Sequence, residues 1–397
     1  CELSRGLGDV YKRQVMDYAS LYPSSIIEKN LSQETQIVDE ELLESLDPDD
    51  YHTIEYENWV YRLKGKGDTV EKVKDENEPI KTCYFLKPEF MQRHDMGDKG
   101  IIPKVLEHLL EARKDTKKRM KAEKDDFKYK VLDGLQLAYK VTANSVYGQL
   151  GARTSTIFKM NIAACTTAIG RERIGDAARG VKKWALSENL LEPDVVYGDT
   201  DSIFVKFSRE IDGRILEGKE ALGWCIECGE KAGAYITEMI HQEQGHTKQV
   251  LEYEKTFWPF ILISKKRYTG DKYEFDTETC KRNAMGIVLK RRDNAPIVKH
   301  VFGNVIEIIM MDRDFEKAKQ WLIDTLKDIK DGQYDISHFV ITKALAGYYK
   351  NPQQIAHKVL ADRMAERDPG NKPRANDRIP YAYIKLSDHL LYDSDNP

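Results

Sequence analysis

The sequence predicts a mixed α+β fold, in which strands that carry acidic residues are interrupted by long helices. Short apolar runs such as Val195–Tyr197 and Ile203–Val205 are typical of strands. Two longer stretches, beginning near Pro103 and near Tyr129, have the pattern of long helices. Strands interrupted by a helical excursion of this kind indicate the α+β class.

The composition indicates a globular, intracellular protein. A chain of 397 residues can hold two or three domains and a large core. It has no run of about 18 apolar residues and no signal-peptide pattern, so neither a membrane span nor secretion is expected. Six cysteines in so long a chain do not form a disulfide framework, and Cys225 and Cys228 are interpreted as helix residues rather than a zinc site.

The charge is distributed unevenly along the chain. A net charge of −4 by itself argues against a nucleic-acid partner, but basic residues dominate Arg113–Lys130 and form compact clusters at Lys265–Arg267 and Lys290–Arg292. Local basic patches matter more for phosphate binding than total charge does. The alternative for any one cluster is solvated helix surface.

The first elements follow a stretch without clear periodicity. Residues 1–14 are left unassigned, and a cloning or assembly scar would explain them. A buried strand is predicted to end at Val15–Asp17, followed by a short helix over Leu21–Ile27. A strand pair is predicted around Thr53–Leu63, with a turn at Lys64–Asp68.

Long helices make up the middle of the chain. The first begins near Pro103, because proline is favoured in a first helical turn. The others cover Tyr129–Val146, Asn161–Arg179 and Ala221–Gln242. The first two are joined by a short charged link and are expected to form an antiparallel hairpin.

The strand pattern returns after the third of these helices. Residues 195–207 predict a β-hairpin, with Gly198–Thr200 at or near its turn. Residues 251–280 predict further strands. The chain after Asn294 is mainly helical until strand character returns at Ile379–Ile384.

The most informative stretch is the tip of that hairpin, Tyr197–Ser202, which carries Asp199 and Asp201. Residues two apart in a strand project to the same side, so the two carboxylates are expected to lie together. Adjacent carboxylates repel each other unless a cation or a base lies between them, and Mg²⁺ prefers oxygen ligands. The alternative is an acidic turn exposed to solvent, because Asp, Gly and Thr are common turn residues.

Asp17 offers a third carboxylate, and two helices offer cations. The strand-to-helix turn after Asp17 has backbone N–H groups suited to phosphate oxygens. Lys140, Asn144 and Tyr147 share one helix face, and Arg113 and Lys117 are spaced i, i+4 on the other helix. Cationic helices beside a carboxylate metal site are what phosphoryl transfer from a nucleotide requires.

These residues resemble the motifs of family B DNA polymerases. Asp17–Ser24, Lys140–Gly148 and Tyr197–Ser202 are similar to motifs A, B and C of that family, in the same order and with matching spacing. Later segments resemble its KKRY motif, the approach to its thumb and a delta-type block. These segments are Glu254–Phe260 with Ser264–Tyr268, Gly286–Asn294, and Arg367–Gly370 with Asp377–Tyr381. The residues of these motifs are most similar to those of delta-type enzymes and of polymerases from large DNA viruses.

The resemblance implies a catalytic role for four residues. Asp17 and Asp201 are implied to hold two Mg²⁺ ions, with Asp199 as a supporting acid. Lys140 is implied to bind the triphosphate and to protonate the leaving pyrophosphate.

The resemblance also implies two binding sets. Nucleotide binding is implied for Ser20, Leu21, Tyr22, Arg113, Lys117, Lys140, Asn144 and Tyr147. Tyr22 would exclude a 2′-hydroxyl and Tyr147 would lie against the nascent base pair, although core packing is the alternative for both rings. Solvated charge is the alternative for Arg113 and Lys117. Contact with the primer–template duplex is implied for Lys265, Lys266, Arg267, Tyr268, Arg291 and Arg292.

The architecture that the resemblance implies is a palm with an antiparallel sheet, two-helix fingers and a mainly helical, truncated thumb. The implied ranges are 15–102 and 151–285 for the palm, 103–150 for the fingers and 286–397 for the thumb. The exonuclease region that precedes motif A in full-length members is expected to be absent from this chain.

The implied activity is template-directed addition of deoxynucleotides to a primer 3′-hydroxyl during DNA replication, with two Mg²⁺ ions and release of pyrophosphate. The expected partners are primer–template DNA, deoxynucleoside triphosphates, and a sliding clamp or accessory subunits. The expected location is intracellular, in a host nucleus or at a cytoplasmic replication site if the chain is viral.

Two alternatives stay open. A chain with a truncated thumb could bind nucleotide and primed DNA yet turn over weakly or not at all. A reverse transcriptase also carries paired acids on a hairpin, although the Lys140–Gly148 helix argues against it.

Overall fold

The structure, a computed structural model, describes residues 12–63, 70–244 and 248–384. Two compact units divide these residues. The first unit holds Arg13–Thr256 and Glu274–Thr277, and the second holds Lys12, Phe257–Tyr273 and the chain from Glu278 onwards. The predicted mixture of helices and strands with an antiparallel sheet is confirmed.

The helices of the first unit are named in chain order. They are α1 (Leu21–Glu28), α2 (Glu40–Ser45), α3 (Pro88–Arg93), α4 (Ile101–Ala122), α5 (Asp126–Gly151), α6 (Met160–Ser187) and α7 (Gly218–Gln244). The predicted helices are all present, and α5 begins before its predicted start because Asp125 caps it, accepting a hydrogen bond from the backbone N–H of Lys128 at 2.8 Å. Helices α4 and α5 form the predicted antiparallel hairpin, with Arg113 Nε donating to Gln136 Oε1 across it at 3.3 Å.

The strands that begin in the first unit are β1 (Arg13–Tyr18), β2 (Gln36–Ile37), β3 (Tyr51–Glu57), β4 (Trp59–Leu63), β5 (Val70–Lys74), β6 (Ile80–Leu86), β7 (Asp194–Asp199), β8 (Ser202–Lys206), β9 (Glu210–Ile211), β10 (Arg214–Ile215) and β11 (Leu251–Ser264). The order β11-β1-β8-β7 forms the main sheet of this unit, and β11 continues into the second unit beyond Thr256. Strand β1 begins at Arg13, two residues before the predicted segment.

One predicted strand pairing is wrong. Strand β3 pairs with β6 and β4 pairs with β5, rather than β3 with β4. The reason is burial: Ile54 and Tyr56 of β3 pack into a core with helices α1 and α6, whereas Tyr61 of β4 is 67% exposed. The predicted turn at Lys64–Asp68 lies outside the described residues.

Hydrophobic cores fix the elements of the first unit. Beneath the main sheet, Met16 of β1 and Ile203 of β8 pack on Val181 of α6 and Ile236 of α7. A second core joins α1, α4, α5 and α6, and Leu106 and Ile162 are fully buried in it. The helix hairpin α4–α5 is therefore anchored to the helix that follows β1.

Small residues allow helix α6 to approach its neighbours closely. A Cβ added at Gly180 would lie 2.8 Å from Cγ1 of Ile236 in α7, a separation that packed carbon atoms do not tolerate. Cys225 and Cys228 lie in α7 and are buried in the same core, so their interpretation as helix residues is confirmed.

The second unit contains hairpins and helices. Its further elements are β12 (Arg267–Tyr273), β13 (Lys281–Met285), α8 (Pro296–Met311), α9 (Phe315–Lys330), β14 (Ile341–Ala344), α10 (Ala356–Arg367) and β15 (Arg378–Tyr381). The predicted helical character after Asn294 and the late strand are confirmed. In the parts of the chain that the structure describes, no helix has both the length and the apolar character to cross a membrane.

Replacing Gly286 with alanine is expected to destabilise the second unit by about 2 kcal/mol or more. Gly286 has a left-handed φ of 64°, and a Cβ there would overlap the carbonyl oxygen of Lys266. Gly332 is a matched control, because its φ is 73° but no atom lies within 4 Å of an added Cβ. Thermal unfolding should show a larger fall in Tm for Gly286→Ala than for Gly332→Ala, and equal falls would contradict the overlap.

Candidate active site

The turn between β7 and β8 forms the first part of the site. The strands pair antiparallel with Asp199 opposite Ser202, so Thr200 and Asp201 form a two-residue turn. Thr200 has a left-handed φ of 60°, as such hairpin turns require. The predicted hairpin is confirmed, but Asp201 lies in the turn itself, so strand alternation does not decide where its side chain points.

Strand β1 brings Asp17 to this turn. Asp17 is opposite Ser202 in the β1–β8 register, and the backbone N–H of Tyr18 donates to the carbonyl oxygen of Asp201 at 2.9 Å. Met16 and Tyr18 are buried in the core beneath the sheet. Because side chains alternate along a strand, Asp17 projects to the other face.

Asp17 and Asp201 line one cleft of about 1050 Å³ in the first unit. The β1–α1 turn, helices α4 and α5, and the start of β11 supply the rest of its lining. The sequence-predicted nucleotide residues found there are Ser20, Leu21, Tyr22, Arg113, Lys117, Lys140 and Asn144. The structure thus brings together residues that are up to 184 positions apart in the chain, from Asp17 to Asp201.

Asp199 has a different position from its neighbour. It is the last residue of β7, it accepts a hydrogen bond from Thr200 Oγ1 at 3.1 Å, and it does not line the cleft. In the described residues, no three His, Cys, Asp or Glu side chains are grouped so that they could hold a metal ion. The site therefore presents a carboxylate pair, Asp17 and Asp201, with Asp199 beside it.

The carboxylates of the cleft destabilise one another. The pKa of Asp17 is raised from its ordinary value to about 7, first by burial and then by the carboxylates of Asp201 and Glu254. Lys255 and Lys140 oppose the increase. A divalent cation would relieve this repulsion, and a set of carboxylate oxygens without sulfur or imidazole suits magnesium. The donor set of the cleft therefore fits that metal.

Helices α4 and α5 supply a group of cations to the same cleft. These are Arg113, Lys114, Lys117, Lys118 and Lys121 of α4 and Lys140 of α5. Burial lowers the pKa of Lys117, and the neighbouring charge of Arg113 lowers this pKa further. Like charges held close together indicate that the cleft is built for an anion.

Aromatic rings and a tight turn lie at the start of α1. The rings of Tyr22 and Tyr147 are 4.4 Å apart between centroids, and Tyr147 does not itself line the cleft. Tyr22 also lies close to Gly170 of α6, where an added Cβ would lie 3.0 Å from the ring. Ser20, with a left-handed φ of 58°, turns the chain from β1 into α1. Leu21 is buried in the core, so only its backbone is available to a ligand.

Several residues of the cleft were not predicted as site residues. Glu252 and Glu254 project from β11, and Thr200, Lys114, Lys118 and Lys121 also line the cleft. A signal for the two acids existed, because Glu252 and Glu254 repeat the two-residue spacing of Asp199 and Asp201 within a predicted strand. The sequence alone did not show that β11 lies beside β1 in the sheet.

Comparison with known proteins identifies the family. The family model described as DNA polymerase family B matches residues 9–395. The chain belongs to family B of the DNA polymerases. The predicted start of the resemblance was residue 15, and the match begins before it, at residue 9. Membership of this family overturns the reverse transcriptase alternative.

Curated relatives of this family B chain are viral and eukaryotic. A DNA polymerase of Pyramimonas orientalis virus is 39% identical over 94% of this chain. The delta catalytic subunits of Candida albicans and Schizosaccharomyces pombe are 34% and 35% identical over 100% and 96% of it. These alignments cover 32%, 34% and 31% of the relatives, so the chain spans about a third of their length.

The predicted DNA contacts of the family B chain lie in the second unit. Lys265 and Lys266 form the exposed turn between β11 and β12, and Arg267 is exposed beside them. Arg291 and Arg292 are also exposed.

Tyr268 has a different environment from these residues, and its predicted DNA contact stays a prediction. Its ring is buried against the rings of Phe257 and Phe260. Tyr268 follows an exposed turn, but strand alternation directs it into the core.

Proposed function

We propose that this chain carries the catalytic part of a DNA-directed DNA polymerase, which adds deoxynucleotides to a primer 3′-hydroxyl and releases pyrophosphate. The observation that carries the proposal is one cleft that combines the Asp17–Asp201 carboxylate pair with a group of cations from α4 and α5. Membership of family B supports the same reaction.

The proposal assigns the regions as palm (15–102 and 151–285), fingers (103–150) and truncated thumb (286–397). In this assignment the β1–β8–β7 strands belong to the palm and carry the carboxylates. The α4–α5 hairpin forms the fingers and carries the cations.

Asp17 and Asp201 are the residues that would hold two magnesium ions, with Asp199 in support. Bound there, the ions would lower the pKa of the primer 3′-hydroxyl and neutralise charge on the triphosphate. The raised pKa of Asp17 supports this assignment, because Lys255 and Lys140 offset only part of the burial and repulsion that this carboxyl experiences.

The side chains of the fingers would bind and orient the triphosphate. Arg113, Lys117 and Lys140 line the cleft as cations, and Asn144 adds an amide one turn from Lys140. The first N–H groups of α1 have no acceptor within the helix, so the backbone at Ser20–Tyr22 can donate to phosphate oxygens.

The reaction transfers a nucleotidyl group. The primer 3′-oxygen loses its proton and bonds to the α-phosphorus, while the bond from that phosphorus to the bridging oxygen of the β-phosphate breaks. Lys140 is proposed to donate a proton to the departing pyrophosphate. Lys265, Lys266, Arg267, Arg291 and Arg292 would bind duplex phosphates without reading sequence.

Primer extension tests the proposal directly. The chain is incubated with a primed DNA template, deoxynucleotides and Mg²⁺, and the extended primer is measured. Template-directed extension is expected. If primed DNA binds in a gel shift but is never extended, the non-productive alternative is correct and the proposed activity fails.

Replacing Tyr22 with alanine is expected to reduce discrimination against ribonucleotides by about tenfold or more. The ring of Tyr22 packs against the ring of Tyr147 and lies close to Gly170, and these two contacts restrict its movement away from a 2′-hydroxyl. The measurement is the ratio of kcat/KM for a deoxynucleotide to kcat/KM for the matching ribonucleotide.

Tyr22→Phe is the matched control, because it keeps the ring and removes only the hydroxyl. It should retain the wild-type ratio. Unchanged discrimination in Tyr22→Ala would refute a steric role for the ring.

A further inference from the structure

The cleft contains more cations than the residues assigned to a triphosphate. Arg113, Lys117 and Lys140 are the cations assigned to it. Lys114, Lys118 and Lys121, here called the lysine trio, line the same cleft and have no assigned role. All three are exposed side chains of α4.

The lysine trio extends the triphosphate-binding face along α4. Lys114 and Lys118 are one turn apart, as are Lys117 and Lys121, so all four lie on one side of the helix. From Arg113 to Lys121 the helix rises by about 12 Å. Lys121 lies close enough to Lys117 to lower the pKa of Lys117. The cations therefore form a continuous row.

This row has few carboxylates in direct contact, although the charge of Glu252 opposes the lowering of the pKa of Arg113 and of Lys117. Among the described residues, Lys114, Lys117, Lys121 and Lys140 have no carboxylate oxygen within 4.0 Å, and the side-chain hydrogen bond of Arg113 goes to the neutral Gln136. Lys118 alone is paired, with Asp115 at 3.4 Å, and both side chains are more than two-thirds exposed. An exposed pair of this kind contributes little. A row of cations that continues beyond the assigned residues favours a polyanionic ligand longer than the part already assigned.

We propose that the lysine trio is a subsite for a phosphate group beyond the third in a polyphosphate chain. The chain of phosphates could belong to a deoxynucleoside 5′-tetraphosphate or to free inorganic polyphosphate, since both present the same anionic groups. The positions given to the first three phosphates rest on the proposed function. The binding of the anion itself does not depend on it.

Direct binding tests the subsite without catalysis. Inorganic tetrapolyphosphate and pyrophosphate are titrated into the chain by calorimetry, with wild type and a K114A/K118A/K121A variant. Alanine is a strong helix former, so the variant should fold, and circular dichroism checks this. The variant should bind tetrapolyphosphate about tenfold more weakly, with a smaller effect on pyrophosphate. Equal losses for both anions would overturn the proposal.

A charge-matched control separates a local site from the general field of the protein. K124A/K128A/K130A removes the same number of charges from the link and the start of α5, outside the cleft. It should bind tetrapolyphosphate as the wild type does. A loss equal to that of the trio variant would mean that only net charge matters, which would overturn the subsite.

Primer extension distinguishes the two sources of the phosphate chain. KM is measured for thymidine 5′-triphosphate and for thymidine 5′-tetraphosphate. If the subsite binds a phosphate chain carried by the nucleotide, the ratio of the tetraphosphate KM to the triphosphate KM should rise about tenfold in the trio variant. If this ratio is unchanged while the trio variant still binds tetrapolyphosphate more weakly, the free anion is the ligand.

If the trio variant loses affinity for primed DNA but not for tetrapolyphosphate, the trio binds nucleic acid and the proposal is wrong. If even the wild type extends no primer while calorimetry gives the expected loss, the proposed function fails and the subsite stands.

Discussion

Replacing Asp201 with asparagine is expected to reduce primer extension by about a thousandfold or more, because the proposed metal-binding carboxylate would be lost and with it several kcal/mol of transition-state stabilisation. Asp201 lines the cleft with Asp17 and acts on the pKa of that residue. Asparagine has the same shape but no charge. The measurement is kcat/KM for a deoxynucleotide on a primed template, over a range of Mg²⁺ concentrations.

Asp199→Asn is the matched control for Asp201→Asn. Asp199 is two residues away in the same hairpin, but its side chain does not line the cleft. We expect a loss of about tenfold, since a supporting charge acts at longer range. Equal losses in the two variants, or a larger loss for Asp199→Asn, would contradict the separate roles given to the two acids.

The fold should tolerate the Asp201 substitution. The turn is tied to β1 by the main chain, where Tyr18 N–H donates to the carbonyl oxygen of Asp201, and this bond does not depend on the side chain. Retained affinity for primed DNA and a Tm equal to or above that of the wild type would show that the loss is chemical, because the substitution removes a charge that repels Asp17. A lower Tm would instead indicate that the hairpin had been disturbed.

The parts of the site that depend on local spacing were predictable from the sequence. The hairpin at Tyr197–Ser202, the shared face of Lys140 and Asn144, and the α4–α5 hairpin all follow from periodicities of two and of 3.6 residues. The parts that depend on long-range pairing were not. Nothing local places Glu254 beside Asp17, because the two strands that carry them are separated by more than two hundred residues.

Burial is a second property that the sequence did not show. Tyr268 follows a basic turn and was predicted to contact DNA, and the pleat directs its ring onto Phe257. The pairing of β3 with β6 was missed because a nearby strand, β4, offered a simpler local partner. In both cases the competition between core and surface is decided by residues distant in sequence, which one sequence does not reveal.

The site separates its charges by element. Carboxylates come from the ends and turn of the sheet and from β11, whereas cations come from the helix hairpin. The two sets are anchored to one another through the core that joins α1, α4, α5 and α6. A change of side chain in the hairpin leaves the strands of the carboxylate pair unaltered, but Lys140 also acts on the pKa of Asp17, so variants in α5 need a control that keeps the charge.

Lys140 offers the sharpest such test. Replacing it with alanine is expected to lower kcat by about a hundredfold to a thousandfold, as loss of a general acid does. Its ammonium lines the cleft and is close enough to Asp17 to oppose the increase in the pKa of that carboxyl. Alanine removes both the charge and the proton, so the KM for the deoxynucleotide should rise as well.

Lys140→Arg separates these two contributions. Arginine keeps the positive charge but does not give up its proton in proteins, since its pKa exceeds about 12. We therefore expect the KM for the deoxynucleotide to stay near the wild-type value while kcat remains at least about tenfold low. Substrates with a more acidic bridging group between the β- and γ-phosphates should restore part of the lost kcat, because their leaving group needs less protonation. A kcat equal to that of the wild type in Lys140→Arg would show that the residue acts through its charge alone and that another group supplies the proton.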